Sequence, residues 1–195
     1  MDNSITNVIM VGVGGQGTIL ASEILAEAAL QSGLDVKKSE VHGMAQRGGS
    51  VSSHIRFGSE VKSPLIEMGQ ADIMLTFEKV EGLRYADMLR EGAKIIMNDL
   101  EIVPTTVSLG AGKYPEDIEN TIKGLGFELI EINALELAKK AGNPKTANVV
   151  LLAKLASLLT GIKKEIWIDV IKKRVPSKFL EVNLNAFELG YGLSE

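Results

Sequence analysis

Six residues, Gly12-Val13-Gly14-Gly15-Gln16-Gly17, stand between a continuous apolar run and a stretch of helical periodicity, and this order constrains the fold more than any other feature. The run from Val8 to Val13 suits a strand buried on both faces of a parallel sheet. From Thr18 to about Ser32, Leu20, Ile24 and Ala28 share one helical face, and Gly33 takes the stop position. Strand, glycine-rich turn and helix in that order is how an open α/β sheet begins. The G-x-G-x-x-G spacing also lets an anion lie against the unpaired N–H groups of a helix start, because glycine reaches positive φ and admits close approach. A tight turn with nothing bound meets the same pattern, so the loop marks a place before it names a ligand.

The chain then alternates strand and helix signals. Residues 35–39 read as a second strand, with Glu40 where a dinucleotide-binding sheet places an acid for a ribose. His42 to Ser50 is His-Gly-Met-Ala-Gln-Arg-Gly-Gly-Ser, a composition no core needs. Arg47 can fork onto a phosphate or carboxylate, and Gly48, Gly49 and Ser50 offer donors beside it; the bland alternative is a solvated turn. Residues 51–57 alternate, with Val51, Ser53, Ile55 and Phe57 on one side and Ser52, His54 and Arg56 on the other. Gly58-Ser59 ahead of Val61-Lys62 predicts a hairpin return there. Further strands are expected at 73–77, 93–97 and 127–131, and helices at 79–90 and 134–141, with another from near Pro115 to Gly124. The last third is helical over 146–160 and 163–174 and from Ser177 onward, where Leu180, Leu184, Phe187 and Tyr191 form a stripe. The fold expected is α/β: a three-layer Rossmann-like sheet, mostly parallel with an antiparallel hairpin, in one domain over 1–195, its helical part 145–195 packing on the sheet.

Composition narrows the chemistry. Twenty-one Lys and Arg against 25 Asp and Glu give a net charge of −4, which argues against a nucleic-acid binder. With no cysteine, the chain has no disulfide, thiolate zinc site or cysteine-ligated cluster. His42 and His54, the two histidines, lack partners at metal-ligand spacing, so no metal is expected. There is no nucleophile elbow, P-loop or kinase signature, and no apolar run of membrane-spanning or signal-peptide length; a cytoplasmic protein is the expectation.

Taken together, Gly12 to Gly17, the run Ser39-Glu-Val-His-Gly-Met-Ala-Gln-Arg-Gly-Gly-Ser50, the strand ending His54-Ile-Arg-Phe-Gly58, and the tail around Val175-Pro-Ser-Lys-Phe and Asn183-Leu-Asn-Ala-Phe resemble the gamma-type domain of 2-oxoacid:ferredoxin oxidoreductases. The likeness covers essentially the whole chain and is nearest to the small beta subunit of the indolepyruvate branch. It implies a subunit with no catalytic residue of its own. Thiamine diphosphate and iron–sulfur clusters would reside in a large partner that passes electrons to ferredoxin, with no cofactor held tightly by this chain. Under that resemblance Gly12, Gly14, Gly15, Gln16, Gly17, His42, Gln46, Arg47, Gly48, Gly49 and Ser50 would line an anion-receiving crevice that contacts coenzyme A or the partner's thiamine site. Glu40, His54 and Arg56 are secondary candidates. The gamma subunit of a pyruvate or 2-oxoglutarate enzyme, a free-standing NAD(P)-binding oxidoreductase and a purely structural interaction module remain open alternatives.

Overall fold

Val8, Ile9, Met10 and Val11 expose no surface, because their strand lies inside the sheet with a neighbour on either side and helices or loops on both faces. The computed structural model describes residues 5–42, 49–103, 105–108, 110 and 112–193. Among the described residues the strands are β1 (Thr6–Val13), β2 (Asp35–His42), β3 (Ser50–Gly58), β4 (Ala71–Thr76), β5 (Leu89–Asn98) and β6 (Glu128–Ile132), in the order β2-β3-β1-β4-β5-β6. β1, β4, β5 and β6 pair in parallel, while β3 runs antiparallel to both β1 and β2. The sheet is thus mixed through a single reversed strand.

Among the described residues the α-helices are α1 (Thr18–Gln31), α2 (Lys79–Arg84), α3 (Thr105–Ser108), α4 (Ile118–Gly124), α5 (Ala134–Ala141), α6 (Ala147–Leu158), α7 (Lys164–Arg174) and α8 (Leu180–Tyr191). One face of the sheet carries α1 and the C-terminal helices over a large core that includes Met10, Leu25, Ile55, Leu75 and Trp167. The other carries α2, α4 and an extended segment over a smaller core with Ile9, Val11, Met74, Ile95 and Ile122.

The antiparallel hairpin does not form where Gly58-Ser59 suggested. β2 and β3 pair without a break from Asp35 opposite Gly58 to His42 opposite Val51, so the histidine- and glycine-rich run is the connection between them. Residues 61–62 are not a strand. Asp35 Oδ2 accepts the Val61 N–H at 2.8 Å, and Arg56 Nη1 donates to the carbonyls of Ser63 and Leu65 at 3.0 and 3.1 Å. These bonds pull 59–66 across the second face, where Ile66 is buried. The helix expected over 79–90 is also shorter: α2 ends at Arg84, a 3₁₀ turn spans Ala86–Met88, and Leu89 already pairs with Ala71. Gly92, at φ 70°, sits at the shift in register that follows.

α6 is apolar nearly all round because it is covered by α5 and α8 and packed against the sheet. Val149, Val150, Leu151, Leu152 and Leu155 are at or below 1% exposure, and each contributes about 1.5–3 kcal/mol relative to a solvated side chain. Lys154 tolerates this position by reaching the Leu193 carbonyl at 2.9 Å. Gly190 on α8 lets the two helices meet closely, since a Cβ there would lie 2.2 Å from the Val150 carbonyl oxygen. The stripe on α8 is core: Phe187 is fully buried, with Leu180, Leu184 and Tyr191 packed around the same cluster.

Candidate functional site

The parallel strands end at one edge of the sheet, at Val13, Thr76, Asn98 and Ile132, and β3 begins at that edge with Ser50. In an open α/β sheet this carboxyl edge is where ligands bind. The glycine loop sits at its middle. Gln16 holds the loop's shape: its N–H donates to the Val13 carbonyl at 3.2 Å, its Oε1 accepts the Val13 N–H at 2.6 Å, and its Nε2 donates to the Phe77 carbonyl at 3.0 Å. The side chain expected to position a ligand therefore fastens the loop to the end of β4. Gly12 must lack a side chain, because a Cβ would lie 2.7 Å from Gln16 Oε1 and 2.9 Å from Phe77 Cβ. Gly17 caps α1 at φ 82°, and a Cβ there would fall 2.4 Å from Asn148 Nδ2.

Gly14 N–H donates to the Gly49 carbonyl at 2.9 Å, which sets the residue just before β3 against the first loop. Gln46, Arg47 and Gly48 lie outside the described residues, and of His42 only the backbone, paired with Val51, is described. Ser50 is engaged: its hydroxyl donates to Glu81 Oε2 at 2.5 Å and lies 3.3 Å from the Tyr85 hydroxyl.

The secondary candidates stand apart from this edge. Glu40 accepts from Lys38 Nζ at 2.7 Å and from Ser22 Oγ at 3.3 Å. Its strand is separated from β1 by β3, whereas a dinucleotide fold puts the acid-bearing strand directly beside the first. His54, mid-strand and 9% exposed, accepts the Ile66 N–H on Nδ1 at 3.2 Å, and burial depresses its pKa. Arg56 donates to Asn7 Oδ1 at 2.8 Å and braces the segment after β3. These three side chains hold the fold together.

The ends of β4 and β5 carry polar residues that were not among the candidates read from the sequence. Glu78, with no exposed surface, accepts from Glu81 N–H at 2.9 Å, Ile102 N–H at 3.1 Å and the Tyr114 hydroxyl at 2.6 Å. Burial first, and then the Glu78 carboxylate, push the Tyr114 phenol far above its usual pKa. Next to it, Lys79 Nζ meets Asp99 at 2.8 Å and Glu119 at 2.5 Å. Burial opposes its charge, but these hydrogen bonds outweigh it and raise the ammonium pKa, while Lys79 holds Glu119 below the carboxylate range. Burial, followed by the charge of Glu119, pushes Glu131 up. The signal for this cluster was available as charged residues immediately after strand ends: Glu78-Lys79 after β4 and Asp99 after β5.

On the other flank of the loop a crevice of about 530 Å³ opens between Gly15, Gly17 and the start of α6. Its wall is apolar, with Phe77, Leu100, Leu135 and Leu151, and Lys145 and Asn148 stand at the helix start. Asn148 Nδ2 approaches the Gly17 carbonyl at 3.4 Å. Nothing local in sequence announces this contact, which spans 131 positions. Among the described residues no group of three or more His, Cys, Asp or Glu could hold a metal ion, and no helix is long and apolar enough to cross a membrane.

The family model described as pyruvate ferredoxin/flavodoxin oxidoreductase matches residues 7–193. The chain is 42% identical over 190 residues to the indolepyruvate oxidoreductase subunit IorB of Archaeoglobus fulgidus, covering 95% of this chain and 93% of that one. It is 41% identical to the same-named subunit of Thermococcus kodakarensis, over 94% and 93%. Among solved structures, the gamma subunit of a keto/oxoacid ferredoxin oxidoreductase from Geobacter sulfurreducens superposes with a TM-score of 0.71 at 26% identity, covering 95% of this chain and 96% of that one. The 2-oxoglutarate:ferredoxin oxidoreductase of Magnetococcus marinus, solved with 2-oxoglutarate, coenzyme A and succinyl-CoA bound, shares the fold at a TM-score of 0.75 and 21% identity, over 97% of this chain and 31% of that one. The family model spans nearly the whole chain and the IorB relatives agree with it at above 40% identity, so the chain belongs to the pyruvate ferredoxin/flavodoxin oxidoreductase family.

Proposed function

We propose that this chain is the small subunit of an indolepyruvate oxidoreductase, supporting the oxidative decarboxylation of aryl pyruvates to aryl-acyl-CoA with electrons passed to ferredoxin. The observation that carries this reading is the step in identity between branches. Four IorB subunits match at 39–42% over at least 93% of their own length, whereas ketoisovalerate and 2-oxoglutarate enzyme subunits match at 27–30%. A chain without cysteine cannot ligate an iron–sulfur cluster by thiolate, which supports placing the clusters in a larger partner, and the thiamine diphosphate goes with them under the same assignment. That cofactor supplies the carbanion chemistry, and this chain's part is to position and shield.

Within that role, the Gly12–Gly17 loop and the connection from Gln46 to Ser50 form one surface that meets coenzyme A or the mouth of the partner's thiamine site. Arg47 is the charge anchor and the glycine N–H groups are donors; the bond between Gly14 and Gly49 supports the two segments acting together. Gln16 and Ser50 serve from behind, holding the loop and the start of β3 in register.

An indolepyruvate-dependent dye-reduction assay, with each polypeptide omitted in turn, tests the assignment. Activity should need both chains, and full turnover by either alone would overturn it. Arg47→Ala in the reconstituted enzyme should raise the KM for coenzyme A; an unchanged value removes Arg47 from that role.

A further inference from the structure

We propose that the outer edge of β2 and the adjoining flank of α1 receive a second copy of this chain, the two β2 strands pairing antiparallel about Ser39 so that the sheet continues from one copy into the other. β2 ends the strand order, and among the described residues no strand pairs with its outer side. It is eight residues long and paired without a break to β3, so its outer side presents a regular row of backbone donors and acceptors. Lysines on such an edge commonly guard it against pairing, but here both are neutralised from within the strand. Lys37 Nζ meets Asp35 Oδ1 at 2.5 Å, and Lys38 Nζ meets Glu40 Oε1 at 2.7 Å.

The strand's own sequence selects one register. Across a twofold axis each residue of an antiparallel pair meets one on its own face of the sheet, so only residues an even number of positions apart can stand opposite each other. A centre at Lys37 or Lys38 sets that lysine against its own copy, a centre at Glu40 sets two carboxylates together, and a centre nearer either end shortens the ladder. Centred on Ser39, Lys38 faces Glu40 of the second copy and Glu40 faces its Lys38, doubling the ion pair already present in each strand.

The flank of α1 matches the same axis. Arg174 takes Glu23 and Glu27 on the side toward α7, and Ser22, on the side toward β2, donates to Glu40 at 3.3 Å. Between these directions, over the edge of β2, Ile19 is 40% and Leu30 62% exposed. A strand residue rises about 3.4 Å and a helix residue about 1.5 Å, so with Ser22 level with Glu40 the axis through Ser39 passes α1 near Ile24. Ile19 and Leu30 stand at nearly equal heights on either side of it. The twofold therefore brings Ile19 of each copy toward Leu30 of the other, an apolar contact over the same seam as the ion pairs. The inference goes beyond the subunit assignment and does not depend on it.

Sedimentation equilibrium of the full chain, up to high micromolar concentration, should show a dimer. Ile19→Lys and Leu30→Glu, both at exposed positions, should each weaken it about tenfold or more. The two together on one chain should recover much of the loss, because each new charge then faces its opposite across the seam. The chain has no cysteine, so Ser39→Cys places a single thiol on the axis. Under mild oxidation it should close a disulfide between copies about tenfold faster or more than Lys123→Cys, at an exposed position on α4. A monomer throughout, a dimer indifferent to Ile19→Lys and Leu30→Glu, or equal rates from the two thiols would overturn the inference. So would a photocrosslinker carried on the Ser39→Cys thiol that, in the reconstituted enzyme, labels the large polypeptide in place of a second copy. Such a failure leaves the omission assay, and with it the subunit assignment, as it was.

Discussion

On the flank of the glycine loop that faces β3 and α2, the polar side chains answer one another: Ser50 with Glu81, Glu78 with Tyr114 and Ile102, Lys79 with Asp99 and Glu119. On the flank that faces α6, the Lys145 ammonium has no carboxylate among the described residues, and Gly17 ahead of α1 makes no side-chain cap. The same residue types are thus fold-holding on one side and available on the other. The difference teaches that a polar residue at a sheet's carboxyl edge is a ligand candidate only after its internal partners have been counted. Substitutions on the two flanks should accordingly separate stability from binding.

The largest effect is expected at Glu78. Its carboxylate is fully buried and accepts three hydrogen bonds, so Glu78→Ala strands three donors and should cost about 3 kcal/mol or more in urea unfolding of the isolated chain. Glu78→Gln keeps the shape and part of the bonding and should cost roughly half of that. A loss below about 1 kcal/mol for the alanine variant would mean that the closed flank is not holding the segment from Ile102 to Tyr114.

Gly17, which belongs to both flanks, comes next. Alanine there must adopt φ near 82° and place its Cβ 2.4 Å from Asn148 Nδ2, for a combined cost of about 2 kcal/mol. Asn148→Ala removes the steric part, so the double variant should be less destabilised than the sum of the two singles. Strict additivity would show that the loop and α6 are not in the contact that defines the crevice.

How much of this was readable beforehand depended on the distance between partners in the chain. Val8 to Val13 announced a central strand and Gly12 to Gly17 announced the turn, because run length, periodicity and glycine spacing are local signals. The direction of β3 was not local. Residues 51–57 alternated as a half-buried strand should, but whether the hairpin lay before or after them was decided by Asp35 and Arg56 reaching residues 61–65. The helix over 79–90 failed for a related reason, since pairing of Ala71 with Leu89 drew the end of the run into the sheet. In the site, Gln16 and Ser50 were expected to line a crevice, and the bonds that also tie them to Phe77 and Glu81 had no local signal, because those partners lie 61 and 31 positions away. Lys145 and Asn148 carried no sequence signal, being an ordinary lysine and asparagine at the start of an apolar helix.

A direct comparison of the flanks uses two small truncations. Ser50→Ala removes a donor to a carboxylate that is almost wholly buried and should cost about 1–2 kcal/mol. Lys145→Ala removes an exposed ammonium without an internal partner and should change stability by less than about 0.5 kcal/mol. Equal losses would erase the distinction drawn between the two sides.

The smallest effect lies beneath the closed flank, at His54, and it is set by pH. Burial lowers the folded-state pKa of His54 below the ordinary 6.5, and its Nδ1 is already accepting the Ile66 N–H. Above about pH 6.5 the ring is neutral in both folded and unfolded chains, and its contribution to stability is complete. As pH falls, the unfolded chain takes up the proton first, so stability drops between 6.5 and the lower folded-state value and levels off beneath it. His54→Gln offers an amide oxygen to the same N–H and does not titrate. At pH 7.5 the variant should differ from the natural chain by no more than about 1 kcal/mol. The natural chain should then lose stability relative to the variant as pH is lowered from 7 to 5, an interval in which that difference isolates the histidine from the carboxylates. Parallel curves across that interval would show that His54 binds its proton equally well folded and unfolded, and that the segment ending at Ile66 does not seal the second face of the sheet over it.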